Sequence, residues 1–243
     1  MKNSYYKNVT TGSIYNTYNE GLSYDKNGNI TSLQRNGGIE VQGSTTTIDN
    51  LNYSYDTAIK NRLVKVSDAT NNISGFKDDA APGNDTSNDF DYDANGNMTK
   101  DENKAITAIT YNHLNLPVKI TFSTGYKIEY LYDALGTKMK KTITQGSTVT
   151  TTEYREGFQY LGGVLQFIQH AEGYVNYLNA GGGKYNYVFN YLDHLGNVRA
   201  SFAKDPATGL PKILKENHYS VVVGVFTDNN PDLHNNAYIF KNL

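Results

Sequence analysis

The sequence predicts an all-β fold built from antiparallel hairpin repeats. Three observations carry that prediction. An aromatic-rich stretch, then Asp-x-x-Gly-Asn or a close variant, then a second stretch ending in Lys or Arg, recurs along the chain. The copies are regularly spaced in the middle of the chain. Tyr92, Tyr111 and Tyr132 follow one another at 19 and 21 residues, as a strand-turn-strand unit with short connections would give. The composition is that of strands, with 21 Tyr, 9 Phe and no Trp, since aromatic and β-branched residues fit a pleated surface. Only 38% of residues are hydrophobic and mean hydropathy is −0.59. Those values are low for a close-packed globule, but they suit an array in which each unit buries one face.

Residues 1–23 read as an N-terminal extension. The repeats occupy 24–147. The first is Tyr24-Asp25-Lys26-Asn27-Gly28-Asn29-Ile30, followed by a strand over 31–35. A polar connection over 36–49 leads to Tyr53–Asp56 and a strand from Asn61 to Val66. Residues 68–89 are dominated by turn formers, with Ile73 and Phe76 as the few apolar anchors, and read as a long surface loop. Tyr92-Asp93-Ala94-Asn95-Gly96-Asn97 opens the next repeat, and residues 102–106 are the one place where a helical turn is expected. Tyr111–Pro117 and Tyr132-Asp133-Ala134-Leu135-Gly136 follow. In each turn the Asp caps N–H groups two residues on, and the Gly takes φ > 0 to form the bulge that matches strand twist. Leu116-Pro117 interrupts the pattern, so a different geometry is expected there.

Residues 148–243 follow another pattern. Strands are expected over 148–153, 154–160, 164–169, from Glu172 and over 185–192, with a turn at 180–183. Tyr191-Leu192-Asp193-His194-Leu195-Gly196-Asn197-Val198-Arg199 is the sharpest copy of the motif. A turn over 205–211, strands over 212–219 and 221–226, a loop over 228–236 and a short strand over 237–240 close the chain.

Charge and Cys usage exclude several classes. Net charge is −2 and no basic stripe marks a nucleic-acid partner. Cys is absent, which rules out disulfides and thiolate chemistry. No stretch approaches the ~18 apolar residues of a membrane helix. Met1–Tyr6 has no apolar core and does not read as a signal peptide.

These motifs carry a family likeness. Phe90–Ala105, Tyr111–Pro117, Tyr132–Lys141 and above all Tyr191–Arg199 resemble the RHS/YD-repeat family, specifically the RHS repeat-associated core of Bacteroidetes type. The likeness runs from about Tyr24 onward. It implies a twisted β-ribbon or partial β-shell, with 148–243 as the core segment. It further implies a non-catalytic scaffold of an exported or cell-surface protein that encapsulates or binds. The implied partners are other segments of a longer RHS protein or a toxin cargo. Glycans bound on a Tyr-rich face and self-association through sheet edges are further expectations, so a carbohydrate- or protein-binding module is the alternative. A remnant of a self-cleaving core is the second alternative. The family's closing Asp-Pro-x-Gly-Leu is missing, and Asp205-Pro206-Ala207-Thr208-Gly209-Leu210 carries one residue too many. The resemblance therefore implies a fragment, a degraded copy or a stand-alone shell segment, truncated before the toxin and cleavage segment.

No catalytic residue, metal or cofactor is expected. Asp91, Asp93, Asn95 and Glu102 match the spacing of an EF-hand calcium loop. That loop needs flanking helices, however, and both flanks read as strand or loop. The five His are scattered. Asp25, Asp56, Asp93, Asp133 and Asp193 recur at one turn position, which argues for capping over catalysis. Tyr92, Asp93, Gly96, Tyr132, Asp133, Gly136, Tyr191, Asp193, Gly196, Asn197 and Arg199 are accordingly structural residues, with Arg199 placed to pair with Asp193 across its hairpin.

Overall fold

The computed structural model describes residues 3–7, 14–37, 45–79, 87–178, 184–219 and 225–226. These residues are all-β, apart from one 3-10 turn among them at Glu102–Lys104 that Asp101 caps through Lys104 N–H. That turn falls where the sequence predicts one. The strands are β1 (Asn3–Lys7), β2 (Ile14–Tyr24), β3 (Ile30–Gly37), β4 (Thr46–Tyr55), β5 (Leu63–Asp68), β6 (Phe90–Tyr92), β7 (Met98–Asp101), β8 (Ile106–Tyr111), β9 (Pro117–Phe122) and β10 (Lys127–Tyr132). They continue as β11 (Lys138–Gln145), β12 (Thr148–Arg155), β13 (Phe158–Leu161), β14 (Val164–His170), β15 (Gly173–Leu178), β16 (Lys184–Leu192), β17 (Val198–Lys204), β18 (Pro211–Glu216), β19 (His218–Tyr219) and β20 (Val225–Phe226). Strands β1 to β5 form one sheet and β6 to β18 a thirteen-stranded one, both in strict chain order, and β19 pairs with β20. The predicted array of antiparallel hairpins is therefore present.

Contact density divides the chain into two units, 1–129 with 144–148, and 130–143 with 149–243. In the first, residues read as an N-terminal extension supply β1 and most of β2. The register aligns Leu22, Leu33 and Leu51 across β2, β3 and β4. All three are buried, and Ile48, Val66 and Phe90 add to the core. A parallel row two residues away aligns Glu20, Arg35 and Asp49. Both rows lie on one face, because side chains alternate with a period of two. The other face carries Ser23, Ser32, Asn52 and Ser67.

In the second unit Val188 and Ala203 are buried and aligned on β16 and β17. The opposite face aligns His170, Gly173, Phe189, Phe202 and Ile213 across β14 to β18.

Several local expectations change. The connection expected over 36–49 is shorter, because β3 runs to Gly37 and β4 starts at Thr46. The single strand expected over 154–160 is broken by a turn at Glu156–Gly157, both at φ > 0 (49° and 89°). Ile73 is not an anchor, since it is 87% exposed. Phe76 is half-buried, and its N–H donates to Asp49 Oδ1 at 2.6 Å. The turn expected at 180–183, the start of the strand over 221–226 and everything read after Phe226 lie outside the described residues.

Candidate functional site

The repeated turn is built the same way at Asp25, Asp93, Asp133 and Asp193, whereas Asp56, expected at the same position, caps a longer turn without a glycine, its N–H donating to the Arg62 carbonyl and its Oδ1 accepting from Ala58 and Ile59 N–H. In the Asp193 copy, Asp193 N–H donates to the Asn197 carbonyl and Gly196 N–H to the Asp193 carbonyl, both at 2.9 Å. The carboxylate Oδ1 accepts the N–H groups of Leu195 and Asn197, both at 2.9 Å. Oδ2 accepts Asn197 Nδ2 at 3.1 Å and Arg199 Nε at 2.9 Å. Asp25, Asp93 and Asp133 repeat the backbone pattern with Gly28, Gly96 and Gly136. The glycines sit at φ between 79° and 88°, where a Cβ is disfavoured. A register shift precedes each of the Asp25, Asp93 and Asp193 turns, as a bulge requires.

The Asn112 copy corrects an expectation. Despite Leu116-Pro117 it has the same geometry. Asn112 N–H donates to the Leu116 carbonyl, Asn112 Oδ1 accepts from Leu114 and Leu116 N–H, and Asn115 takes the glycine position at φ 57°. Asn tolerates the left-handed region because its short polar side chain bonds locally. Here Asn115 Oδ1 also accepts Asn95 Nδ2 and Asn97 Nδ2 from the preceding turn.

The tyrosines link one hairpin to the next. Tyr55 OH donates to the Ile30 carbonyl, Tyr92 OH to Leu63 and Tyr111 OH to Met98, at 2.9, 2.6 and 2.6 Å. Each acceptor lies opposite the tyrosine of the previous repeat, because Ile30 pairs with Tyr24, Leu63 with Tyr55 and Met98 with Tyr92. Burial pushes all three phenols up, which keeps the donating proton in place. The Arg62 guanidinium also lies 5.5 Å from the Tyr92 ring centre. Tyr92→Phe should lower unfolding free energy by about 1 kcal/mol, the usual net worth of one such bond. A urea midpoint identical to that of the parent chain would refute the latch. Tyr191 stands two residues before its Asp, not one, so alternation turns it to the other face, where it is 67% exposed.

The turn carboxyls are held below the usual range. For Asp25 and Asp93 the main cause is the side-chain amide of Asn29 or Asn97. For Asp133, Asp56 and Asp205 it is a backbone N–H, from Thr137, Ile59 and Ala207 respectively. For Asp193 burial pulls upward, but bonds from Asn197, Leu195 and Arg199 outweigh it and hold the carboxyl at about 2. A depressed folded value means stability that is present above the unfolded value of about 4 and lost as pH falls through the folded one. Urea midpoints should therefore drop between pH 4 and pH 2. Asp193→Asn should flatten the lowest part of that curve. Midpoints constant over this window would contradict the assignment.

The calcium-like residues are not gathered. Asp93 and Asn95 share a turn, with both Asp93 oxygens engaged by Asn95 and Asn97. Asp91 is exposed on β6, opposite Lys100. Glu102 pairs with Lys100 and accepts from Ser87. Among the described residues, no group of three or more His, Asp or Glu is arranged to hold a metal ion. None of the described helices is long and apolar enough to cross a membrane. An open groove of about 670 Å³ in the second unit is bordered by Lys138, Tyr154, Arg155, Phe158 and Tyr160, with Arg155 stacked 5.3 Å from the Tyr160 ring centre.

Sequence reasoning missed the buried aspartates. Asp49, Asp68, Asp78, Asp89 and Asp101 are all at least nine-tenths buried. Asp49 and Asp68 were detectable, because alternation from Leu51 and Val66 places them on the apolar face. Asp78 and Asp89 sit in turn-rich sequence that carries no such signal.

No family model matches the chain, and no curated protein matches it. Solved structures do. The crystal structure of TcdB2-TccC3 without its hypervariable C-terminal region superposes with a TM-score of 0.53 at 15% identity, over 83% of this chain and 10% of that one. TcdB2-TccC3-TEV gives 0.38 at 11% identity over 89% and 15%, and the Tc holotoxin pore of Photorhabdus luminescens gives 0.36 at 13% over 88% and 13%. At these identities the first likeness is one of fold alone. This chain spans about a tenth of the chain it superposes on.

Proposed function

We propose that this chain is a non-catalytic YD-repeat β-scaffold segment of an RHS-type exported or surface protein, serving encapsulation or interaction. The observation that carries the reading is the hairpin series itself. The repeated Asp, Gly and Asn side chains and backbones build turns, and Tyr55, Tyr92 and Tyr111 join hairpins. Side chains so engaged serve architecture, not chemistry. The fold likeness to TcdB2-TccC3 supports the same reading. The test is co-expression with the polypeptide encoded directly downstream. Co-purification, with that polypeptide resisting a protease that digests it when expressed alone, is expected. Failure to co-purify, or unchanged digestion, overturns encapsulation.

One observation favours a binding module as a second reading. Tyr185, Tyr187 and Tyr191 project from one face of β16 and are each more than half exposed, and exposed tyrosines suit sugar or peptide stacking. Binding above background on a glycan array, lost in Tyr187→Ala, would select that reading. For the self-cleaving alternative, an intact mass equal to the full 243 residues after prolonged incubation counts against it.

A further inference from the structure

Strands follow chain order throughout both large sheets, with one interruption: β5 ends the first and β6 begins the second. The hydrogen bonds at that break show how the edge is finished. Ala69 N–H donates back across β4 to the Asn50 carbonyl at 3.1 Å. With a period of two, the N–H groups of Val66 and Asp68 then point away from β4, along the outer edge of β5. An open row of such groups recruits further strands. Here each is taken by a carboxylate. Val66 N–H donates to Asp89 Oδ2 at 2.7 Å and Asp68 N–H to Asp78 Oδ2 at 2.8 Å. Asp89 N–H donates to the Val64 carbonyl at 2.9 Å. These are the positions that a neighbouring strand would bond.

Both carboxylates are buried, and Asn103 ties the Asp89 carboxylate to the main chain next to Asp78. Asp89 Oδ2 also accepts Asn103 Nδ2 at 2.8 Å, and Asn103 Oδ1 accepts Asp79 N–H at 2.9 Å. The Asp68 carboxylate turns the chain away from the edge by accepting Thr70 and Asn71 N–H.

We propose that Asp78 and Asp89 act as strand mimics, whose carboxylates fill the hydrogen-bonding positions of a sixth strand and close this sheet edge against strand addition, by β6 or by another polypeptide. A carboxylate suits the task. It accepts an N–H more strongly than a neutral carbonyl does, yet it carries no N–H of its own to propagate a ladder. The array can thus stop one sheet and start the next within a continuous chain.

Residue-resolved hydrogen exchange on the full-length chain tests this. In the parent chain the Val66 and Asp68 amides should be protected to a degree comparable with Leu33 in β3. Asp89→Ala should accelerate Val66 by at least about tenfold and by more than it accelerates Asp68, while Asp78→Ala should do the reverse. Asp89→Asn, which keeps an acceptor oxygen, should fall between. Leu33 should stay protected in all three, which separates edge opening from global unfolding. Unchanged exchange at Val66 and Asp68 overturns the proposal, and so does acceleration that includes Leu33 or falls equally on both amides in both alanine variants.

Discussion

Gly173→Ala is expected to part β15 from β16 and to cost about 2–3 kcal/mol, the scale of overpacking against atoms that cannot yield. A Cβ at this position would lie 2.1 Å from the Val188 carbonyl oxygen and 3.1 Å from Phe189 Cα, both main-chain atoms of β16. No rotamer change relieves that contact, so the strands themselves must separate. The absent side chain also has a packing role. Gly173 stands between His170 and Phe189 in a cross-strand row, and those two rings meet edge-on with centres 5.8 Å apart. Phe189 stacks in turn on Phe202, also at 5.8 Å. The aromatic row therefore closes over the glycine, as happens where large neighbours cover a bare strand position. Chemical denaturation should show a lowered midpoint, and Val188, fully buried in the parent, should exchange faster. Gly96→Ala is the contrast. Its cost is confined to backbone conformation at φ 84°, because nothing lies within 4 Å of the added Cβ. Equal losses for the two variants would show that conformation, not close approach, governs Gly173.

What was legible in the sequence follows from what is local. A turn capped by its own Asp and opened by its own Gly lies within five residues, so Asp25, Asp93, Asp133 and Asp193 could be read directly. Arg199 pairs with Asp193 within a single hairpin, and that too was predictable. The turn before Leu116-Pro117 was expected to differ, yet Asn115 meets the demand for positive φ almost as Gly does. The tyrosine latch spans two hairpins, with partners 13 to 29 residues away. The repeat implied a role for the tyrosines, but only the register identifies the carbonyl each one reaches. The turn-rich segment after β5 was least legible. Its anchors are the carboxylates of Asp78 and Asp89, which accept main-chain N–H groups of β5, and the Phe76 N–H, which donates to the Asp49 carboxylate in β4, and composition marks such Asp residues as exposed.

The Glu20–Arg35–Asp49 row carries the other large expected effect. Arg35→Met should cost about 3–5 kcal/mol, the range found when one partner of a buried ion pair is removed. Asp49 is only 1% exposed, and Arg35 reaches its Oδ2 through both Nε and a terminal nitrogen at 2.5 Å. Glu20, also buried, lies opposite Arg35 on the far strand. Removing the guanidinium leaves the buried Asp49 carboxylate without the cation that holds its Oδ2, and the desolvation it has undergone is no longer offset. Asp49 cannot turn to solvent, because its Oδ1 holds Phe76 N–H and Gly75 packs against it so closely that a Cβ there would lie 2.4 Å from that oxygen. Arg35→Lys should recover part of the loss, since an ammonium keeps the charge but not the two-nitrogen contact. Arg35→Met combined with Asp49→Leu should also recover part, but not all, because Phe76 N–H then loses its acceptor. Urea denaturation of the parent, Arg35→Met, Asp49→Leu and the double variant forms a cycle whose coupling term isolates the pair. A coupling near zero would mean that Arg35 contributes packing alone, and that Asp49 is held by its main-chain bonds.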